Sequence, residues 1–540
     1  MISRFAYLCL VLFVVGCSRS PDLSVATQTP SALSPISVSV AATAKSDAVP
    51  SEGGIDWQKG DVDAAFAAAK AANKPVFLYW GAVWCPPCNQ VKATIFNRQD
   101  FVDRSRFFVP VYLDGDTKSA QKLGARFKVS GYPTMILFKP DGTEITRLPG
   151  EVDADQYMRV LALGMSGARP VKDTLAAALA PGGYRLTPEE WRLLAYYSWD
   201  TDEQQVAPKG KVPETLQRLA QACPADQRET AARLEIKALG AAANARDAKP
   251  RADTTAVEKV LKLLAEPKFA RDNFDVIVYY SSGISKAYTL PKSAERAKLN
   301  AAWNVALDRL VTDASLSTAD RLSAVDAQIA LAKLEDPKAA LSPALQKSVR
   351  EQSARADRET TDAYARQAVI SAAAEILADA GLLDESDTLL KAELQRSQSP
   401  YYYMLGLAAN AKTRGDKAAA LGWYEKAYAA ADGAATRLQW GASYVNALVD
   451  LAPQDAARID KAAASVIGEL EAAPDTFYGR NQRALERMSK KLAAWDKDQK
   501  HDASLKRMRT QMARVCGKLP AGDPARASCD SVFRPGAANA

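Results

Sequence analysis

Apolar and polar positions follow two different rules along this chain, and the change falls near residue 170. Before it, short apolar runs alternate with helical spacing. "PVFLYWG" from Pro75 is an unbroken apolar run bounded by Pro and Gly, which predicts a central strand. "FFVPVYLD" from Phe107 predicts a second buried strand, with Pro110 as the residue that argues against it. "TMILFKPDGTEITRL", Thr134 to Leu148, reads as two strands around a Pro-Asp-Gly turn. Between and around them, "DVDAAFAAAKAANK" from Asp61, "NQVKATIF" from Asn89, "SAQKLGARF" from Ser119 and "DADQYMRVLALG" from Asp153 carry helical spacing. The predicted order is α, β, α, β, α, β, β, α, an α/β domain over residues 55–168.

Beyond Lys172 the strand signals nearly vanish and alanine-rich helical patterns follow one another. "LTPEEWRLLAYYSW" shows a helix start, with Thr187 as cap, Pro188 in the first position and Glu190 three past the cap. Residues 172–370 show no clean period. In 371–475 a repeat emerges: "ILADAGLLDESDTLLKAEL" aligns with "LAANAKTRGDKAAALGWYEKAY", placing Gly381 and Gly415 34 residues apart. Ala420, Tyr424 and Ala427 then fall where the second helix of a tetratricopeptide repeat has its small and aromatic residues, and the segment resembles that repeat, with Met404 where it usually has Trp. A third unit is expected, with helices over Ala435–Asp450 and Gln454–Ala472, and 476–540 forms a C-terminal helical segment and tail. The fold class expected is therefore an α/β domain followed by a mostly α-helical, tetratricopeptide-like α-solenoid.

The N-terminus lies outside this pattern. Arg4 precedes the apolar run Phe5–Val15, which at about a dozen residues is short of the ~20 that span a bilayer. It ends in "VVGC", Val14 to Cys17, which resembles the lipobox of bacterial lipoproteins. The resemblance implies a signal peptide over 1–17, lipidation at Cys17, and a lipid-anchored protein of the cell envelope facing the periplasm. Ser18 rather than Asp after the Cys points to the outer membrane over the inner. Residues 18–54, rich in Ser, Ala, Thr, Pro and Val, read as a disordered tether.

Composition narrows the function. With 48% hydrophobic and 25% charged residues in 540, the chain is ordinary globular material. The formal charge of +7 is spread rather than blocked, so no nucleic-acid footprint is read. There is one histidine, His501, in a lysine-rich stretch where a solvated side chain is expected; a Ser-His-Asp hydrolase would have to use it. No phosphate loop or dinucleotide fingerprint occurs, and no cofactor is implied.

The chemistry concentrates in "YWGAVWCPPCNQV", Tyr79 to Val91. With Cys85 just before a helix and Cys88 in its first turn, the sulfurs can close a disulfide, and backbone N–H groups and the helix dipole favour the Cys85 thiolate. Cys85 is then the expected nucleophile and Cys88 the resolving thiol. Two thiolates with no nearby histidine do not make a structural zinc site, whereas two-coordinate Cu(I) stays open as a minor alternative. Of the other cysteines, Cys516 and Cys529 are spaced to close a short loop, and Cys223 is left over.

Trp84 directly before the first Cys, the strand order, and "SGYPT" with Pro133 together identify residues 55–164 as resembling a thioredoxin domain. Phe96, eight after the second Cys, is similar to the subgroup containing the C-terminal domain of the bacterial transmembrane thiol:disulfide interchange reductase. The resemblance implies that Pro133 is a cis-proline beside the site and that Trp84, Pro86, Pro87 and Tyr132 contact substrate, Tyr132 through its backbone. It implies disulfide-containing protein substrates and a redox partner that the sequence does not name. Two positions depart from the pattern. Tyr79 stands where thioredoxin has a buried Asp, and Lys92 where the reductase domain has a Glu, so the proton acceptor is unassigned.

The first functional reading is a membrane-tethered periplasmic thiol–disulfide oxidoreductase, with a reductase or interchange role, whose helical region docks protein partners. The second is a scaffold or adaptor lipoprotein in which the solenoid is the working part. "YYY" at Tyr401–Tyr403 and "WYEKAY" from Trp423 are expected to serve interhelix packing, with a concave peptide-binding face as the alternative, and the basic runs from Arg487 and Leu505 read as solvated helix faces.

Overall fold

The computed structural model describes residues 54–533, apart from 118–119, 130, 182–185, 203–204, 209 and 246–249. The signal peptide, Cys17 and nearly all of the tether lie outside the described residues.

The α/β domain forms where the patterning places it. In chain order its elements are β1 (Gln58–Lys59), α1 (Val62–Ala72), β2 (Val76–Gly81), α2 (Pro86–Val91), α3 (Gln99–Ser105), β3 (Val109–Asp114), α4 (Ala120–Arg126), β4 (Thr134–Phe138), β5 (Glu144–Leu148) and α5 (Ala154–Met165). The sheet order is β1-β3-β2-β4-β5. β3 runs parallel to both β1 and β2, whereas β4 is antiparallel to β2 and to β5. The two-residue β1 and the short α3 were not anticipated, because neither is long enough to show a period.

Pro110 sits inside β3 despite the expectation that it would weaken a strand. Val109 donates to the Pro75 carbonyl on the β2 side, so the next nitrogen points to the opposite edge. There β1 begins pairing only at Val111, and the missing N–H costs no ladder bond.

All six residues of β2 are buried, which explains its unbroken apolar run. On one sheet face Trp57, Phe77, Tyr79, Phe96, Phe101, Phe108 and Tyr112 form a continuous aromatic cluster. Helix ends are locally specified. The Asp61 carboxylate accepts from Asp63 and Ala64 N–H at the start of α1, and Asp153 does the same for Gln156 in α5. α2 continues into a π-helical turn over Lys92–Phe96.

From Val171 onward the described residues are helical. Thr187 and Glu190 make the expected reciprocal capping box. The segments Ala363–Asp379, Leu383–Glu393, Pro400–Thr413, Lys417–Ala430, Ala434–Leu451 and Ala456–Ala472 pack as successive neighbours, consistent with a helical solenoid. Gly381 and Gly415 hold equivalent interhelix turns with φ of 82° and 79°, a left-handed conformation that favours glycine. One sequence boundary is corrected: the division at residue 370/371 falls inside the helix Ala363–Asp379. That helix packs on earlier and later neighbours alike, so the helical array is continuous there.

The described residues from 54 to 533 form one compact unit, and the α/β domain is packed into the helical array. α2 lies against the helix Ala363–Asp379 and α4 against Gly479–Trp495. Arg147 of β5, fully buried, donates to the carbonyls of Phe127, Lys128 and Thr201 and to Glu144. It ties the sheet to the first helical turns beyond it.

Candidate functional site

β2 ends at Gly81 and the chain turns through Ala82–Trp84 to place Cys85 at the N-cap of α2. Cys88 N–H donates to the Cys85 sulfur at 3.3 Å, and the Cys88 sulfur lies 2.6 Å from that of Cys85. Proline is tolerated at 86 and 87 because the first-turn N–H groups have no intrahelical partner. The Asn89 side chain donates to the carbonyls of Val83 (2.7 Å) and Cys85 (3.0 Å), which pins the turn. The Tyr132–Pro133 peptide is cis.

The site residues named from the sequence converge in part. Trp84 meets Tyr132 edge-on at 5.8 Å, and Trp80 stacks on Tyr132 at 5.6 Å. Pro86 is buried and Pro87 half-buried at the start of α2. Cys516 and Cys529 form a disulfide at the far end of the chain, between the helices Asp502–Lys518 and Pro524–Ser531. Cys223 is buried at the end of a helix, and burial together with Asp226 pushes its thiol up to about 11. His501 is not simply solvated: its half-buried ring stacks on Trp495 at 3.7 Å.

One expectation is reversed. The helix terminus was expected to lower the Cys85 thiol, yet burial raises it well above its ordinary value, and the hydrogen bond and charge of Cys88 add to the rise. The Cys88 N–H and the Arg480 guanidinium pull the other way but do not prevail. Cys85 is 3% exposed, Trp84 6% and Tyr132 3%, because the helical region lies over them.

That cover is specific. Trp84 Nε1 donates to Thr436 Oγ1 at 2.8 Å, and the Trp84 carbonyl accepts from Gln367 Nε2 at 3.0 Å. The indole stacks on Tyr402 and meets Trp440 edge-on at 4.7 Å. Arg480 lies 4.5 Å above the Tyr132 ring and 5.8 Å from that of Trp84, and its N–H donates to Gln121. Gln90 of α2 donates to Asp320 at 2.6 Å. Tyr401 packs on Trp440 and Tyr403 enters the core beside Ile370 and Leu390, the interhelix packing expected of this run, whereas Tyr402 faces Trp84 of the α/β domain.

The buried aromatic Tyr79 and the buried Lys92, held between the rings of Tyr112 and Tyr364, confirm that no acid occupies those two positions. The acids near this face follow β3. Asp116 accepts from Thr436, and burial and Asp114 push its carboxyl up to about 8, against the Thr436 and Trp84 hydrogen bonds and Arg480. Sequence reasoning missed Asp116, Gln367, Thr436, Trp440 and Arg480, and singled out Tyr402 only within the Tyr401–Tyr403 run. All but Asp116 lie far from the Cys pair in sequence, and nothing local ties them to it.

A cysteine pair at a helix N-terminus, after a central strand and beside a cis-proline loop, defines a thioredoxin-like domain, and residues 62–164 match the thioredoxin-like domain family. Among curated relatives, the thioredoxin of Mycobacterium tuberculosis is 33% identical over 101 residues, 18% of this chain and 83% of that protein. The thiol:disulfide interchange protein DsbD of Pseudomonas fluorescens is 30% identical over 103 residues, 18% of either chain. A solved structure named DsbH oxidoreductase aligns with 22% of this chain and 92% of its own at 18% identity, with a TM-score of 0.20. Through this domain the chain belongs to the thioredoxin family. It spans less than a fifth of the length of the DsbD proteins it matches.

Proposed function

We propose that this protein is a thiol–disulfide oxidoreductase of the cell envelope, with a reductase or interchange role. The observation that carries the reading is the Cys85–Cys88 sulfur pair, 2.6 Å apart at the N-terminus of α2. The Cys85 thiolate attacks one sulfur of a substrate disulfide, forming a mixed disulfide and releasing the other sulfur as a thiolate that takes a proton. Cys88, losing its proton, then attacks the Cys85 sulfur and releases the second substrate thiol. Two electrons pass to the substrate, the Cys85–Cys88 disulfide remains, and a separate dithiol donor must reduce it. Trp84, Pro86, Pro87, Tyr132 and Pro133 would border the substrate.

In this reading the chain is lipidated at Cys17 and held on the tether 18–54, facing the periplasm, at the outer membrane rather than the inner. The tetratricopeptide-like pairs would add a docking surface for protein partners. The test is trapping in the native host: Cys88→Ser, alkylated and run without reductant, should give disulfide-linked adducts that vanish when Cys85 is also changed to Ser. Absence of adducts, with a wild-type pair that never changes redox state, would overturn the reading.

A second reading, a scaffold lipoprotein whose thioredoxin domain is a non-catalytic module, draws on one observation: Cys85 is buried beneath the helices. It expects no adducts under any condition.

A further inference from the structure

We propose that the helical region is an intramolecular cap on the dithiol, so that the chain as folded here is latent toward protein disulfides and must undock its helices from Trp84 to act. The proposal rests on the oxidoreductase reading for its consequence, but its geometry stands without it.

The argument begins with what exchange requires. A disulfide must approach the Cys85 sulfur roughly in line with the bond to be broken, which needs open space on that sulfur. Here Cys85 is 3% exposed and Cys88 fully buried. The obstruction is also built from groups that match the α/β domain chemically. An indole N–H meets a hydroxyl at Thr436, a backbone carbonyl meets the amide of Gln367, and the Trp84 ring is boxed by Tyr402 and Trp440. Gln367 is itself oriented, since its side-chain oxygen accepts from Ser397. Thr436 is shared, accepting from Trp84 and donating to Asp116. Gly433 comes so close that a Cβ there would lie 2.7 Å from the Asp116 Cβ. Contacts from the helices Ala363–Asp379, Pro400–Thr413, Ala434–Leu451 and Gly479–Trp495 converge on one tryptophan beside the nucleophile. Burial at this point also suppresses the thiolate, so the same contact blocks both access and reactivity.

At Trp84 the cap is held by hydrogen bonds and aromatic contacts that single substitutions can remove, beside the broader packing of α2 on Ala363–Asp379 and of α4 on Gly479–Trp495. The occupant is the chain's own helical region, seated on the site.

The experiment uses the full-length reduced protein in detergent, labelled with a small maleimide and read by peptide mass spectrometry at Cys85. The comparison is wild type against Gln367→Ala/Tyr402→Ala, both changes lying outside the α/β domain. Labelling of Cys85 should be at least about tenfold faster in the variant, from one lost hydrogen bond and one lost aromatic contact. Equal rates would overturn the cap. Should the double variant misfold by circular dichroism, Gln367→Ala alone replaces it, with hydrogen exchange of the α2 amides in the wild type as the second readout; rapid exchange there overturns the cap as well. Dithiothreitol-driven insulin reduction separates the two proposals. Faster labelling with no turnover in any form removes the oxidoreductase reading and leaves the cap. Wild-type turnover equal to that of the variant, with equal labelling, removes the cap and leaves the oxidoreductase.

Discussion

Trp84 donates its indole N–H to Thr436 across 352 residues of sequence, and the same hydroxyl donates to Asp116. The side chain directly before Cys85 is thus held by the helical region, through a hydroxyl that also engages a buried carboxyl.

Thr436→Val keeps the shape and removes both bonds. Trp84 Nε1 and an Asp116 oxygen are left buried without that partner, which costs about 1–3 kcal/mol each. The expected outcome is a lowered thermal midpoint and stronger acrylamide quenching of tryptophan fluorescence, with Trp84 as the newly accessible ring. Unchanged quenching and midpoint would show that the hydroxyl is not a restraint.

The Asp116 carboxyl, at about 8 when folded against ~3.9 when unfolded, sets a pH dependence. Between these values the folded chain holds a proton that the unfolded chain has released. Folding therefore takes up a proton, and this contribution to stability falls as pH rises from 4 to 8 and levels off above. The slope approaches about 1.4 kcal/mol per pH unit at most. Asp114, Asp432 and Arg480 share this field, and Asp320, raised to about 6 by burial, adds a smaller dependence of the same sign. Asp116→Asn should raise the thermal midpoint relative to wild type at pH 8 and leave it nearly unchanged at pH 4. A gain that is equal at both values would refute the assignment.

Arg233 and Asp275 form a buried pair at 2.7 Å within the helical region, with Arg233 also lying 3.7 Å from the Tyr196 ring centroid. Burial alone would raise Asp275, but the Arg233 guanidinium overrides it and holds the carboxyl at about 2. Its contribution to stability is present above ~3.9 and is lost as pH falls through about 2. Arg233→Met leaves Asp275 buried without that cation and should cost about 3–5 kcal/mol. Chemical denaturation at pH 7 measures it, and a loss below 1 kcal/mol would contradict the pairing.

The Cys516–Cys529 bond closes a loop of sequence separation 13 beside Met512, Val515 and Phe533. In the chain-entropy description such a loop is worth about 3 kcal/mol. Cys516→Ser/Cys529→Ser should make the C-terminal helices the first site of limited proteolysis, without altering Cys85 labelling. Unchanged cleavage would show that packing alone secures this end.

Much of the α/β domain was legible because its signals are local. "PVFLYWG" reads as a buried strand from seven consecutive residues, and Asp61, Asp153 and Thr187 mark helix starts that the structure reproduces as caps. Pro110 misled only because edge pairing is invisible in a single strand. The 34-residue offset between Gly381 and Gly415 was legible for the same reason, since each glycine answers to its own turn.

The sequence alone determined the Cys85–Cys88 pair and its place at a helix start, because three-residue spacing and helix capping are properties of adjacent residues. Whether Cys85 is open or closed was decided only by tertiary structure. Its reactivity depends on what removes water from the sulfur, and here that is the packing of the helical array on α2, which engages the adjacent Trp84 through Gln367, Tyr402, Thr436 and Trp440, about 280 to 355 residues away. A helix terminus favours the thiolate from within the local chain, whereas desolvation is imposed by distant residues, and in this fold desolvation is the larger effect.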